Sequence, residues 1–235
     1  MEVKVDIEIL ERQFSDFLQL IESQDKKPFE RFKGSQFIEN EENYKYSVHK
    51  EAKKKLGQKR WKKEDIGTGK IREAVESAIE LKVYHNGKIV DNNLVYWRQK
   101  GNFSKKTESK TREIENTLFH FYKNKIKDSQ AFQSLLDKGL PYQLIAYLFF
   151  IKDREKFMPI SQERFDDIFE LIGIPEFKTS RNASWENYST FNDIIKQVHQ
   201  FLLTKNKEAT LLDAHSFLWT LGRIDKGHFT SSTSQ

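Results

Sequence analysis

Ser184-Trp185-Glu186-Asn187-Tyr188 opens a segment in which Tyr188, Phe191, Ile195, Val198 and Leu202 recur every three or four residues. The spacing predicts an amphipathic helix, with Ser184 as its cap and Glu186 at the positive end of the helix dipole. Leu211-Leu212-Asp213-Ala214-His215-Ser216-Phe217-Leu218-Trp219 follows at once. It predicts a last helix, capped by Thr210 with Asp213 three residues on and stopped by Gly222. Working backwards, Ser161 starts a helix buried through Phe165, Ile168, Phe169 and Ile172, and Gly173 ends it in a left-handed turn. Leu144-Ile145-Ala146-Tyr147-Leu148-Phe149-Phe150-Ile151 reads as a buried core helix, because it falls far short of the roughly 20 residues that cross a bilayer. Two further stripes, Ile114/Leu118/Phe121/Tyr122 and Ala131/Phe132/Leu135/Leu136, precede it. Short connections imply antiparallel neighbours. The fold class expected is therefore mainly α, with a carboxy-terminal helical bundle.

The amino-terminal part is organised differently. Ile7, Leu10, Phe14, Phe17, Leu18 and Ile21 make one amphipathic helix, which ends before Lys26-Lys27-Pro28. From Tyr44 to Lys63 the chain turns basic, with Lys45, Lys50, Lys53, Lys54, Lys55, Lys59, Arg60, Lys62 and Lys63 against the single acid Glu51. Ile71, Val75, Ala78 and Ile79 share the face of a helix starting near Gly69. Beyond it, Asn86-Gly87 lies between Lys82-Val83-Tyr84-His85 and Lys88-Ile89-Val90, a pattern that fits either a small β-hairpin or a tight loop. The polar run Gln99–Lys110 reads as a mobile loop and as the internal boundary. The division expected is 1–104 as a basic, DNA-contacting region, 105–226 as the helical bundle and 227–235 as a disordered tail, with the bundle able to fold without the first hundred residues.

Composition narrows the function classes. The 235 residues contain no cysteine, so disulfides, thiolate zinc sites and cysteine nucleophiles are excluded, and a reducing cytoplasm is the compartment this fits. Met1-Glu2-Val3-Lys4-Val5-Asp6 lacks the apolar run of a signal peptide, and no membrane partner is expected. Hydrophobic content is only 37%, so the 19 Phe, 8 Tyr and 4 Trp must supply the bulk of the core. A net charge of +5 favours a polyanionic partner.

Several groups of residues carry candidate chemistry. Lys53, Lys54, Lys55, Lys59, Arg60, Lys62 and Lys63 are suited to phosphates, and Lys105 and Lys106 extend the set. Trp61, between Arg60 and Lys62, either stacks on a base or turns into the core. Gly67-Thr68-Gly69-Lys70 looks superficially like a phosphate loop, but Ile71 stands where magnesium binding needs Ser or Thr, so a helix-start turn is expected. Asp65, Glu80 and Lys82 have the spacing of a magnesium nuclease of the PD-(D/E)xK type, yet Glu80-Leu81-Lys82 read as a continued helix separates the two side chains by about 200°. Asp213, His215 and Ser216 are neighbours on one helix and cannot bond in series as a triad. The other histidines show no metal-ligand spacing.

Together with Asp65-Ile66-Gly67-Thr68-Gly69-Lys70-Ile71, Asn92-Asn93-Leu94-Val95-Tyr96-Trp97 and Pro159-Ile160 to Phe165-Asp166, the two carboxy-terminal motifs resemble a helical region of bacterial modification-dependent restriction and phage-defence proteins of the McrA and McrB kind. The resemblance runs roughly from Asp65 to Arg223. It implies a noncatalytic DNA-binding or targeting component whose relatives carry an ATPase or HNH nuclease module elsewhere. The partners it implies are DNA, plain or modified, and a nuclease or ATPase subunit. No cofactor is expected, magnesium entering only under the alternative of a DNA nuclease. A protein-interaction scaffold is the second alternative.

Overall fold

The computed structural model describes residues 3–100 and 103–227, so of the expected tail at 227–235 all but Gly227 lies outside the described residues. In chain order the elements are α1 (Ile7–Asp25), α2 (Gln36–Glu41), α3 (Tyr44–Leu56), α4 (Lys70–Ile79), β1 (Lys82–His85), β2 (Lys88–Asp91), α5 (Trp97–Lys100), α6 (Phe103–Thr107), α7 (Thr111–Tyr122), α8 (Asp128–Asp137), α9 (Tyr142–Lys152), α10 (Gln162–Leu171), α11 (Trp185–Lys205) and α12 (Leu211–Asp225). The protein is mainly helical with one small antiparallel hairpin.

These elements form two compact units, and neither is a continuous piece of chain. The first contains the described residues of Met1–Asn43, Ser161–Asn182 and Asn187–Gln235; the second contains Tyr44–Ile160 and Ala183–Glu186. The expected boundary at 104/105 is corrected accordingly, because each unit draws its core from both sides of it. In the first unit, Leu10, Phe14, Phe17 and Ile21 bury one face of α1. Phe17 meets Phe217 of α12 edge-on at 5.2 Å, and Phe14 meets Phe201 of α11 at 5.9 Å. Phe29 and Phe32 close the cluster. A fragment lacking the first hundred residues leaves these aromatic faces bare, so an autonomous carboxy-terminal bundle is not what the packing supports.

The rest of the first unit is fixed by buried polar caps. Thr210 and Asp213 form the expected reciprocal capping box of α12, with bonds of 2.8 and 3.2 Å. Asp166 of α10, almost fully buried, takes the amide and hydroxyl of Thr179 at 2.5 and 2.7 Å and also binds Ser180. One carboxylate thereby anchors the loop after α10. Gly173 is left-handed as expected, at φ 81°. Gly222 departs from expectation: α12 continues through it to Asp225. Its role is close approach, since a Cβ there would lie 2.7 Å from Cγ1 of Ile168 on α10.

In the second unit α9 is buried on all sides from Leu144 to Ile151. Phe149 packs at a tilt against Phe121 of α7 at 4.4 Å and meets Phe132 of α8 edge-on at 5.8 Å. Trp185, the first residue of α11, completes this group through Phe132, Phe149 and Phe157. The polar stretch expected to be a mobile loop instead holds α6 and a 3-10 turn, with Phe103 and Thr107 buried one turn apart. Two buried residues suffice to dock so short a helix, too few to register as periodicity in the sequence.

α4 is held at both ends by side chains from elsewhere. At its start the fully buried carboxylate of Glu115, on α7, accepts the amides of Gly67 (2.6 Å), Gly69 (3.2 Å) and Arg72 (2.9 Å). A helix leaves its first amides unpaired and its amino end partly positive, and one carboxylate answers both. At the other end Tyr147 donates to the Ala78 carbonyl at 2.7 Å, while the Asn92 amide donates to Ile79 O and Tyr147 Oη at 2.9 Å each. Burial pushes the Tyr147 phenol far above its ordinary range, so it stays protonated as a donor. The chain then reverses at Asn86-Gly87 (φ 46° and 77°), and β1 and β2 pair as Lys82↔Asp91, Val83↔Val90, Tyr84↔Ile89 and His85↔Lys88. Both open alternatives thus resolve to a hairpin.

Two substitutions test this account. Glu115→Ala leaves three buried or half-buried amides without a partner and should destabilise by about 3 kcal/mol or more, with Glu115→Gln retaining part of the difference in urea melts. Gly222→Ala should cost about 1–2 kcal/mol despite alanine's better helix propensity, because the added methyl overlaps Ile168. A Gly222→Ala variant more stable than the parent contradicts the close approach.

Candidate nucleic-acid interface

α3 sorts its residues by face. Val48, Ala52 and Leu56 are buried against the second unit's core, together with Lys45 and His49, and Lys50, Lys53, Lys54 and Lys55 are exposed. Lys53, Lys54 and Lys55 fall in the last turn, where the carbonyl end of the helix favours cations. Gly57 then turns the chain in the left-handed region (φ 56°), and the Arg60 guanidinium folds back over it, so close that a Cβ on Gly57 would lie 2.6 Å from its Nη2. Lys53, Lys54, Gly57, Gln58, Lys59 and Arg60 line one shallow depression.

Trp61 is the anchor of this turn and not a reading element. Its ring is only 6% exposed and meets Tyr122 of α7 edge-on at 5.5 Å. The open alternative therefore resolves towards the core, and stacking on a base is withdrawn. Because the backbone is extended at Trp61 and Lys62, one side chain goes in while Arg60, Lys62 and Lys63 stay out. The Lys59 carbonyl is held at 3.2 Å by Lys123. The cations thus stand on a fixed backbone.

A second depression shares Lys53 and adds Tyr46, Ser47, His49, Lys50, Asp153, Arg154 and Glu155. The Arg154 guanidinium lies 5.0 Å over the Tyr46 ring and 3.0 Å from Glu155. Sequence reasoning missed Arg154, since nothing local marks a residue a hundred positions from the cluster it joins. His49 sits at the base of this surface, its ring edge-on to Phe150 at 5.2 Å. Burial first, then the charges of Lys53 and Arg154, lower its pKa to about 4, against Asp153 and a bond to the Ile151 backbone that favour the proton. Its Nε2 is buried without a hydrogen-bond partner.

The other candidates are dispersed. Lys105 is exposed on α6, which packs on α4 through Ser104, bonded to Arg72 and Glu76; the side chain of Lys106 lies outside those described. Asp65 is bonded to Lys70 at 2.9 Å and to the Lys62 amide at 2.8 Å, interactions that hold its carboxyl below the ordinary range. Glu80 caps the far end of α4, which at ten residues is about 15 Å long. Glu80-Leu81-Lys82 does not continue the helix as read from the sequence; the chain leaves α4 and Lys82 opens β1, paired with Asp91 at 3.2 Å. With α4 between them, Asp65 and Glu80 cannot share one magnesium ion. Among the described residues no group of three or more His, Asp or Glu side chains is arranged for a metal.

The placement of His49 sets a pH dependence. Its imidazole titrates at 6.5 when unfolded and about 4 when folded, so the stability it confers is complete above 6.5 and is lost as pH falls from 6.5 towards 4. Urea midpoints should fall over that window, and His49→Phe should lose less stability over the same interval than the parent. Equal acid losses in the two proteins would contradict a neutral buried His49. No family model, curated protein or solved structure matches this chain.

Proposed function

We propose that the protein is a noncatalytic DNA-binding component that holds the phosphate backbone of a duplex on the α3–Lys63 surface. One observation carries this reading: Lys50, Lys53, Lys54, Lys55, Lys59, Arg60, Lys62 and Lys63 are all exposed along one segment, and four of them line one depression. Glu51, bonded to Lys54 at 3.5 Å, offsets little of that charge. Such a cluster gains affinity by releasing the counterions condensed on a polyphosphate. The resemblance to modification-dependent restriction and phage-defence proteins supplies the setting, a targeting subunit that works with a separate nuclease or ATPase. The nuclease alternative has no matching support in geometry, since its acids stand at opposite ends of α4.

Replacing Lys53, Lys54, Lys59 and Arg60 together with Ala tests the reading. All four are exposed, so folding should be little changed. Binding to duplex DNA in EDTA should weaken, and the slope of log affinity against log salt should shrink by about 3–4, near 0.9 for each phosphate that is no longer neutralised. Plain, methylated and hydroxymethylated duplexes in the same assay would reveal any preference for modification. A folded variant with the parent's affinity and slope overturns the assignment.

A further inference from the structure

The hairpin carries an unexplained feature beside this surface. Its inner face is packed: Val83 is buried, and His85 Nδ1 lies 3.3 Å from Ser47 Oγ on α3. Its outer face pairs Tyr84 directly opposite Ile89, and each is 74% exposed. These are the two most exposed large apolar side chains among the described residues. Cross-strand neighbours of this kind form one contiguous apolar surface. Only the Lys82–Asp91 ion pair shares the face, and the strands carry two lysines to one aspartate.

Position says what could cover it. Ser47, which the hairpin touches, lies one turn before Lys50, and Lys50, Lys53 and Lys54 continue along α3 towards Lys59 and Arg60. The hairpin's inner face therefore rests on the helix that carries the cations, and its outer apolar pair faces solvent within the same compact unit. A polyanion whose charged rim encloses apolar rings has the complementary layout, and a two-stranded ribbon fits a groove of duplex DNA. The role the sequence offered to Trp61 has its aromatic here, in Tyr84.

We infer that the hairpin is a base-contacting element: α3 holds phosphates while Tyr84 and Ile89 pack against the bases of the same duplex. The inference rests on the DNA-binding reading above. The test is the double variant Tyr84→Thr/Ile89→Thr, which keeps β-forming residues in the strands, alongside Tyr84→Phe, the quadruple basic variant and the parent, all across a salt series. The double variant should bind duplex DNA several-fold more weakly, with the parent's salt slope, since apolar packing against base edges releases no counterions. Tyr84→Phe should bind like the parent. Should the double variant fail to melt cooperatively, the single Tyr84→Thr replaces it, with the same signature expected.

Parental affinity in the double variant overturns the inference, as does a loss accompanied by a flattened slope. Loss of a concentration-dependent dimer in sedimentation, with DNA affinity unchanged, would assign the face to a second copy and overturn it too. If the quadruple variant behaves as expected and the double variant binds normally, the hairpin role alone falls. If the parent does not bind duplex DNA, both readings fall.

Discussion

The cation-bearing side of the second unit depends on the immobilisation of α4. Ten residues are too few to form a stable helix unaided in water, and the apolar stripe of Ile71, Val75, Ala78 and Ile79 fixes only which face goes inward. Glu115 supplies an anion to the amino end, and Tyr147 with Asn92 supplies donors to the carboxyl end. α4 in turn is a wall against which α3, α6 and α7 pack. The cations of α3 therefore project from a helix whose back is set by polar bonds as well as by burial.

The Glu115 arrangement also explains Gly67-Thr68-Gly69-Lys70. Two left-handed glycines aim the amides of Gly67 and Gly69 at one carboxylate oxygen and the Arg72 amide meets the other, an anion-binding arrangement of backbone donors. Here the anion is the chain's own carboxylate. A site that looks like a receptor for phosphate is internally saturated, and binding of an external polyanion is left to the side-chain cations between Lys50 and Lys63. Backbone amides are taken up by the fold, and exposed lysines face solvent.

What could be read from the sequence was what repeats at a fixed spacing. The stripes of α1, α4, α7, α8, α10 and α11 need only local periodicity, and Asn86-Gly87 needs only the tolerance of two residues for positive φ. The capping box of Thr210 and Asp213 is equally local. Elements decided by distant partners were not legible. Trp61 is indistinguishable from a stacking residue until Tyr122 is placed beside it. Nothing local marks Glu115 as the residue on which three amides converge, and Gly222 reads as a stop until Ile168 is pressed against it. Phe103 and Thr107 are the buried residues of α6, too sparse a pair to make a pattern. The basic cluster was visible as composition, but Arg154 joins it only in three dimensions.

The discontinuity of the two units bears on how the protein is made. A ribosome releases the chain from the amino end, so α1 emerges with Phe14 and Phe17 bare. Their partners Phe201 and Phe217 follow some two hundred residues later. Meanwhile nearly all of the second unit, Tyr44–Ile160, has been completed. The middle of the chain can therefore be the first part to fold, with the amino-terminal helix waiting beside it as an unsatisfied apolar surface. During that interval the nascent chain is open to chaperone capture, or to exchange of α1 with a neighbouring chain on the same messenger.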